Sequence, residues 1–119
     1  MRTIKPKAIL AALWMIPLAI VLTTNAVAGD KPNGKELYKA NCKACHDKGS
    51  KFGEFTPMTL IQDQWRGFFK EKLVPAHKDV TLPGQSIKLL DSLTPEQMKA
   101  IEKFCVDHAA DSEQPQTCT

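Results

Sequence analysis

The sequence predicts a small all-α domain, and three stretches carry that prediction. Asn33 is a good helix N-cap, and Glu36 three residues later completes an Asn-x-x-Glu variant of the capping box. Ile61, Trp65, Phe68, Phe69 and Leu73 recur at spacings of four, three, one and four, which lays a broad apolar face along one helix. Thr94, Pro95 and Gln97 supply an N-cap, a proline at the first helical position and the glutamine of a capping box.

Taken in order, the chain begins as a secretory signal. Arg2, Lys5 and Lys7 form a positive start, Ala8 to Leu22 an apolar run, and Ala26-Val27-Ala28 a small-residue cleavage site. The apolar run is fifteen residues long and holds Pro17, too short for the roughly 20 residues that cross a bilayer, so cleavage after Ala28 and a periplasmic location are expected. Residues 29–119 then form a single domain. A helix is expected from about Gly34 to Asn41, a glycine-punctuated loop with Phe52 and Phe55 after it, and a second helix from Thr59 to Val74. Pro75 to Ser92 reads as irregular with a short helical turn at Ile87 to Asp91. The last helix should run from Pro95 to about His108, and residues 109–119 read as a polar tail.

Charge narrows the partners. Lys and Arg number 16 against 13 Asp and Glu, but three of the cations lie in the predicted signal segment, so the mature chain is formally neutral. Its balance gives no electrostatic footprint for nucleic acid, and no membrane contact is expected after cleavage.

Between the first two helices lies Cys42-Lys43-Ala44-Cys45-His46, the C-x-x-C-H signature of covalent haem attachment. Each thiol can form a thioether to one haem vinyl group, and His46, held under the ring by the short tether, can supply the proximal iron ligand. A thioredoxin-like dithiol would want a βαβ context, and no strand-like alternation surrounds the motif. A zinc site built from Cys42, Cys45, Cys105 and Cys118 would need a second pair two to four residues apart, whereas Cys105 and Cys118 enclose twelve. The motif occurs once, so one haem c is expected. Its apolar faces would serve as part of the core in a mature chain with only seven aromatics.

With these residues in place, the chain resembles the small monohaem cytochromes c often called class I, over nearly the whole of residues 29–119. Gly34 and Tyr38 on the first helix, and Ile101 and Phe104 on the last, match the pairs that let that family's terminal helices cross closely. The resemblance therefore implies a cytochrome c-like fold, its N- and C-terminal helices packed around the haem. It further implies that the Pro57 carbonyl accepts the proton on the far nitrogen of His46, orienting the ring and strengthening it as a donor. The Trp65 helix and the ending from Phe104 to Ser112 resemble a subset of small periplasmic cytochromes, which adds Trp65 to the haem-contacting residues.

One departure matters. The family offers a distal methionine from the loop before the last helix, and Pro75 to Leu93 contains none. His77 lies in that loop and leads as distal ligand, with Met58, Met98, His108 and an open site as alternatives. Histidine in place of methionine lowers the reduction potential. In an oxidising compartment Cys105 and Cys118 are expected to form a disulfide, whose closed loop contributes on the order of 3 kcal/mol.

The expected function is electron transfer between redox protein partners, with weak, small-area docking by a monomer or weakly associating chain. No catalytic constellation stands out, so no enzyme activity is expected. The alternatives are a haem gas sensor or peroxidase-like enzyme with an open distal position, or a haem subunit of a larger oxidoreductase.

Overall fold

The computed structural model describes residues 29–117. The expected signal segment with its cleavage site, and Cys118 with its expected bond to Cys105, lie outside the described residues. Those described are helical or irregular and contain no strand. Their one ladder contact is an isolated antiparallel bridge between Thr81 and Lys88.

The first helix opens where the cap predicts. Asn33 Oδ1 accepts from the backbone N–H groups of Lys35 and Glu36 at 3.1 and 3.3 Å, satisfying two of the donors that a helix start leaves unpaired. The helix does not stop near Asn41 as expected. An α segment, Gly34–Tyr38, passes through a π segment, Lys39–Lys43, into a last turn, Ala44–His46. A π turn frees a carbonyl that α geometry would use, and the Asn41 side chain donates to one such group, Leu37 C=O, at 2.8 Å. Asn41 therefore lets the helix continue, and the cysteine motif is helical instead of following the helix.

A turn of 3₁₀ helix, Pro57–Thr59, precedes the middle helix, which starts at Gln62 and not at Thr59 because Leu60 and Ile61 are extended. The middle helix runs as Gln62–Gly67, a π segment Phe68–Lys72 and Leu73–His77, three residues past its expected end. Pro75 was expected to end it. In the π turn the Leu73 N–H reaches back to Phe68 C=O, and Lys72 relaxes to φ −110°. This widening moves backbone away from the proline ring, relieving the clash by which proline usually stops a helix.

Residues 78–88 form a closed loop. Leu89 N–H donates to Val80 C=O at 2.9 Å, Lys88 pairs with Asp79 at 2.9 Å, and Gly84 turns the tip with φ +75°. A short helix, Leu89–Ser92, and the last helix, Pro95–Asp107, complete the order. Both halves of the predicted capping box are present in the last helix: Thr94 Oγ1 accepts from Gln97 N–H, and Gln97 Oε1 from Thr94 N–H.

The core joins Tyr38, Trp65, Ile101, Phe104, Cys105 and Ala109. First and last helices cross at Gly34, where a Cβ would lie 2.2 Å from Ala100 O and 2.9 Å from Phe104 Cβ. Only glycine permits that approach. One turn on, the Tyr38 and Phe104 rings pack at 5.5 Å. The segment read as a tail is not loose: Ala109 is fully buried, Ala110 N–H donates to Leu60 C=O at 3.1 Å, and Asp111 Oδ1 accepts from Gln62 N–H at 2.8 Å. Ile61 has no side chain able to cap the middle helix, and Asp111, 49 residues beyond Gln62, does it instead.

Candidate functional site

The first and middle helices each end in a histidine at the close of the α turn that follows a π segment, and both histidines line one cavity of about 620 Å³. That volume lies within the range of about 300–1,000 Å³ typical of cofactor pockets. Cys42, Cys45 and His46 line it from one side, and His77 with Phe68 and Phe69 from another. Phe52 and Phe55 also line it while staying 59% and 37% exposed, so they are cavity walls and not ordinary core residues.

Each histidine is held by a backbone carbonyl. His46 Nδ1 lies 3.0 Å from Gly53 O, and His77 Nδ1 lies 2.9 Å from Leu73 O. A carbonyl only accepts, so each Nδ1 carries the proton and each Nε2 keeps a lone pair for a metal. Each ring also meets a phenylalanine at close to a right angle: His46 meets Phe55 at 4.8 Å and 81°, and His77 meets Phe68 at 6.3 Å and 90°. The imidazole centroids are 6.2 Å apart with their planes at 71°. Two imidazoles sharing one metal ion at bonds of about 2 Å put their centroids about 6 Å apart, so the observed spacing suits a metal held between them. Two ligands do not complete a coordination sphere. A macrocycle would supply the other four, and the residues present are compatible with one: the cavity wall is mostly apolar and includes Cys42 and Cys45, which would hold it.

The loop after the motif explains the first carbonyl. Ser50 N–H donates to Asp47 C=O, Gly53 N–H to Ser50 C=O, and Phe55 N–H to His46 C=O, while Ser50 Oγ ties back to Cys45 C=O. These bonds fold residues 47–55 beneath His46, and Gly53 completes the turn with φ +85°. The expected Pro57 contact is corrected here. Its carbonyl accepts the Trp65 indole N–H at 2.7 Å in the buried core, and Gly53, seven residues past His46, fills the role assigned to it. Trp65 lines the cavity with its ring, its one polar hydrogen already used.

Of the alternatives to His77, Met58 is 40% exposed at the 3₁₀ turn, Met98 sits on the last helix, and His108 bonds Gln114 C=O at 2.6 Å beside Phe104; the cavity wall includes none of them.

Burial, and next the neighbouring Cys45, push the Cys42 thiol up to about 12. A redox-active dithiol needs a thiolate stabilised near neutral pH, and Cys42 is shifted the opposite way. Among the described residues no three His, Cys, Asp or Glu side chains gather as a metal site of their own, which also leaves the zinc alternative without a cluster there. The charged side chain in the cavity wall is Asp79, whose carboxylate is bonded by Lys88; that contact, a hydrogen bond and an ion pair, raises the Lys88 pKa. None of the described helices is long and apolar enough to cross a membrane.

Gly53, Leu73 and Asn41 are site residues that the sequence reading did not single out. A glycine in a loop that must return under His46 was the one available signal for Gly53. Leu73 and Asn41 act through the π turns, which leave no composition signature. Comparison with protein-family models, curated proteins and solved structures found no match for this chain.

Proposed function

We propose that the protein is a monohaem c-type cytochrome that carries single electrons between redox partners in the periplasm, built as a cytochrome c-like fold around its haem. The observation that carries this reading is the 6.2 Å spacing of His46 and His77 in a cavity whose wall also holds both thiols of the C-x-x-C-H motif. Cys42 and Cys45 would hold the haem by thioethers, with His46 and His77 as its axial ligands. When bound, the haem supplies an iron that moves between ferric and ferrous states. The chain's own part is to fix both imidazoles through Gly53 and Leu73, to exclude water with Phe52, Phe55, Phe68 and Phe69, and to keep the iron saturated so that it binds no substrate.

Two strong axial ligands favour a carrier over a gas sensor or peroxidase-like enzyme, and two histidines favour a low potential over that of a histidine–methionine pair. The test is the absorption spectrum of the haem-loaded protein with and without His77→Ala. The wild type should be six-coordinate and low-spin and should ignore carbon monoxide. The variant should become high-spin and bind the gas. A wild type that binds carbon monoxide readily points to the sensor or peroxidase class, and an unchanged spectrum in His77→Ala removes His77 from the iron. Co-purification with a larger oxidoreductase from native periplasm would make the protein a subunit of that complex.

A further inference from the structure

The two histidines are fixed in angle as well as in distance. The His46 plane is set by two contacts from one loop: its Nδ1–H donates to Gly53 C=O and its ring abuts the Phe55 ring, while the bond from Phe55 N–H to the His46 backbone carbonyl ties that loop to the helix end. A Cβ added at Gly53 would lie 3.3 Å from Phe55 Cε2, so a side chain there would crowd that ring. His77 is set from the other side, by Leu73 C=O one turn earlier in its own helix and by the Phe68 ring. The two holders belong to different elements, and the resulting interplanar angle is 71°.

That angle has an electronic consequence. An imidazole donates π density perpendicular to its plane. Two parallel rings raise the same iron d orbital and split it from its partner, whereas two rings near a right angle each raise a different one and leave the pair nearly degenerate. The ferric low-spin ion is then highly anisotropic, with one very large principal g value in place of a spread three-line spectrum.

We infer that Gly53 is a positioning residue for the iron: its carbonyl, with the Phe55 ring behind it, holds His46 nearly perpendicular to His77 and thereby sets the electronic ground state of the bound haem. This inference rests on the proposed axial ligation by His46 and His77, and acts through second contacts of the kind that orient and tune metal ligands.

Low-temperature electron paramagnetic resonance of the ferric, haem-loaded wild type tests it. The expected result is a single large-g low-spin feature. A three-line rhombic spectrum would overturn the perpendicular arrangement while leaving two-histidine ligation standing. Failure of that ligation is read separately, as a high-spin ferric signal or a methionine–iron charge-transfer band in near-infrared magnetic circular dichroism, and either result overturns both.

Substitutions then isolate Gly53. Gly53→Ala forces a side chain onto φ +85° and against Phe55, so the large-g feature should give way to a rhombic or split signal. Gly49→Ala, in the same loop at φ +77° with nothing near its Cβ, carries a similar backbone strain without touching His46 and should keep the wild-type signal. Equal spectra for the two variants would overturn the role of Gly53. If Gly53→Ala does not load haem, Phe55→Leu, which removes the ring behind His46 and leaves the backbone free to keep its bonds, should shift the signal in the same direction; an unchanged signal there counts against the inference.

Discussion

Cys42 and Cys45 are three residues apart on a helix, yet their chemistry depends on the cavity they border. Burial pushes the Cys42 thiol up to about 12, which keeps that sulfur protonated at neutral pH and makes it a poor nucleophile for disulfide exchange. Replacing either cysteine by alanine should leave at most one thioether and strongly reduce the haem that stays with the chain on denaturing gels. Full haem staining in both single variants would show that neither sulfur is an attachment point. His46 and His77 are equally dependent on their surroundings, since the carbonyls of Gly53 and Leu73 choose the tautomer that leaves each Nε2 with a free lone pair, as the proposed iron ligation requires.

Among the elements, the crossing of the first and last helices is the least tolerant contact. Gly34→Ala would place a methyl group against the Ala100 carbonyl, a backbone atom that cannot rotate away. Overpacking of this kind costs about 1–3 kcal/mol, and a urea titration of the haem-loaded variant should show that loss. No change in midpoint would mean that the helices separate at little cost. Asp111 ties the C-terminal segment to the middle helix by accepting from Gln62 N–H and, through its own backbone carbonyl, from the Gln62 side chain at 3.5 Å. Asp111→Ala should cost about 1 kcal/mol, the usual worth of an N-cap, whereas Asp111→Asn should retain most of it. Equal midpoints for Asp111→Ala and wild type would show that the cap adds nothing.

For the molecule as a whole, the cavity and the core share Tyr38, Trp65, Phe68, Phe69 and Cys105, so what fills one supports the other. A domain of this length has little apolar surface to spare, and removing the proposed haem from a cavity of about 620 Å³ would deprive its walls of packing partners. A chain carrying both Cys42→Ala and Cys45→Ala, prepared without haem, should therefore bind a hydrophobic dye such as ANS. It should also lose the sharp near-ultraviolet circular dichroism of Trp65 while keeping part of its helical signal. A haem-free chain with a cooperative melt and an intact near-ultraviolet spectrum would show that the haem is not part of the core.

Much of this architecture is legible without coordinates because it rests on local physics. The Asn33 cap, the Thr94-Pro95-Gln97 start and the apolar stripe from Ile61 to Leu73 involve residues within a turn or two of each other, so spacing alone reveals them. The C-x-x-C-H motif is equally local, its three functional atoms being tethered within five residues. Helix ends were less legible: π turns carry the chain on to His46 and past Pro75, and such turns leave no spacing pattern in the sequence. The Asp111 cap and the exchange of Pro57 for Gly53 beneath His46 depend on contacts between distant segments, or on the exact fold of a loop. The sequence put His77 ahead of Met58, Met98 and His108 by its position alone, and the tertiary structure is what brings it opposite His46. Any of the four can ligate iron, and only the path of the chain decides which one comes within 6.2 Å of the first histidine. The sequence by itself determined the helices and the C-x-x-C-H motif; the packing of one helix end against another determined which side chain stands opposite His46, and at what angle.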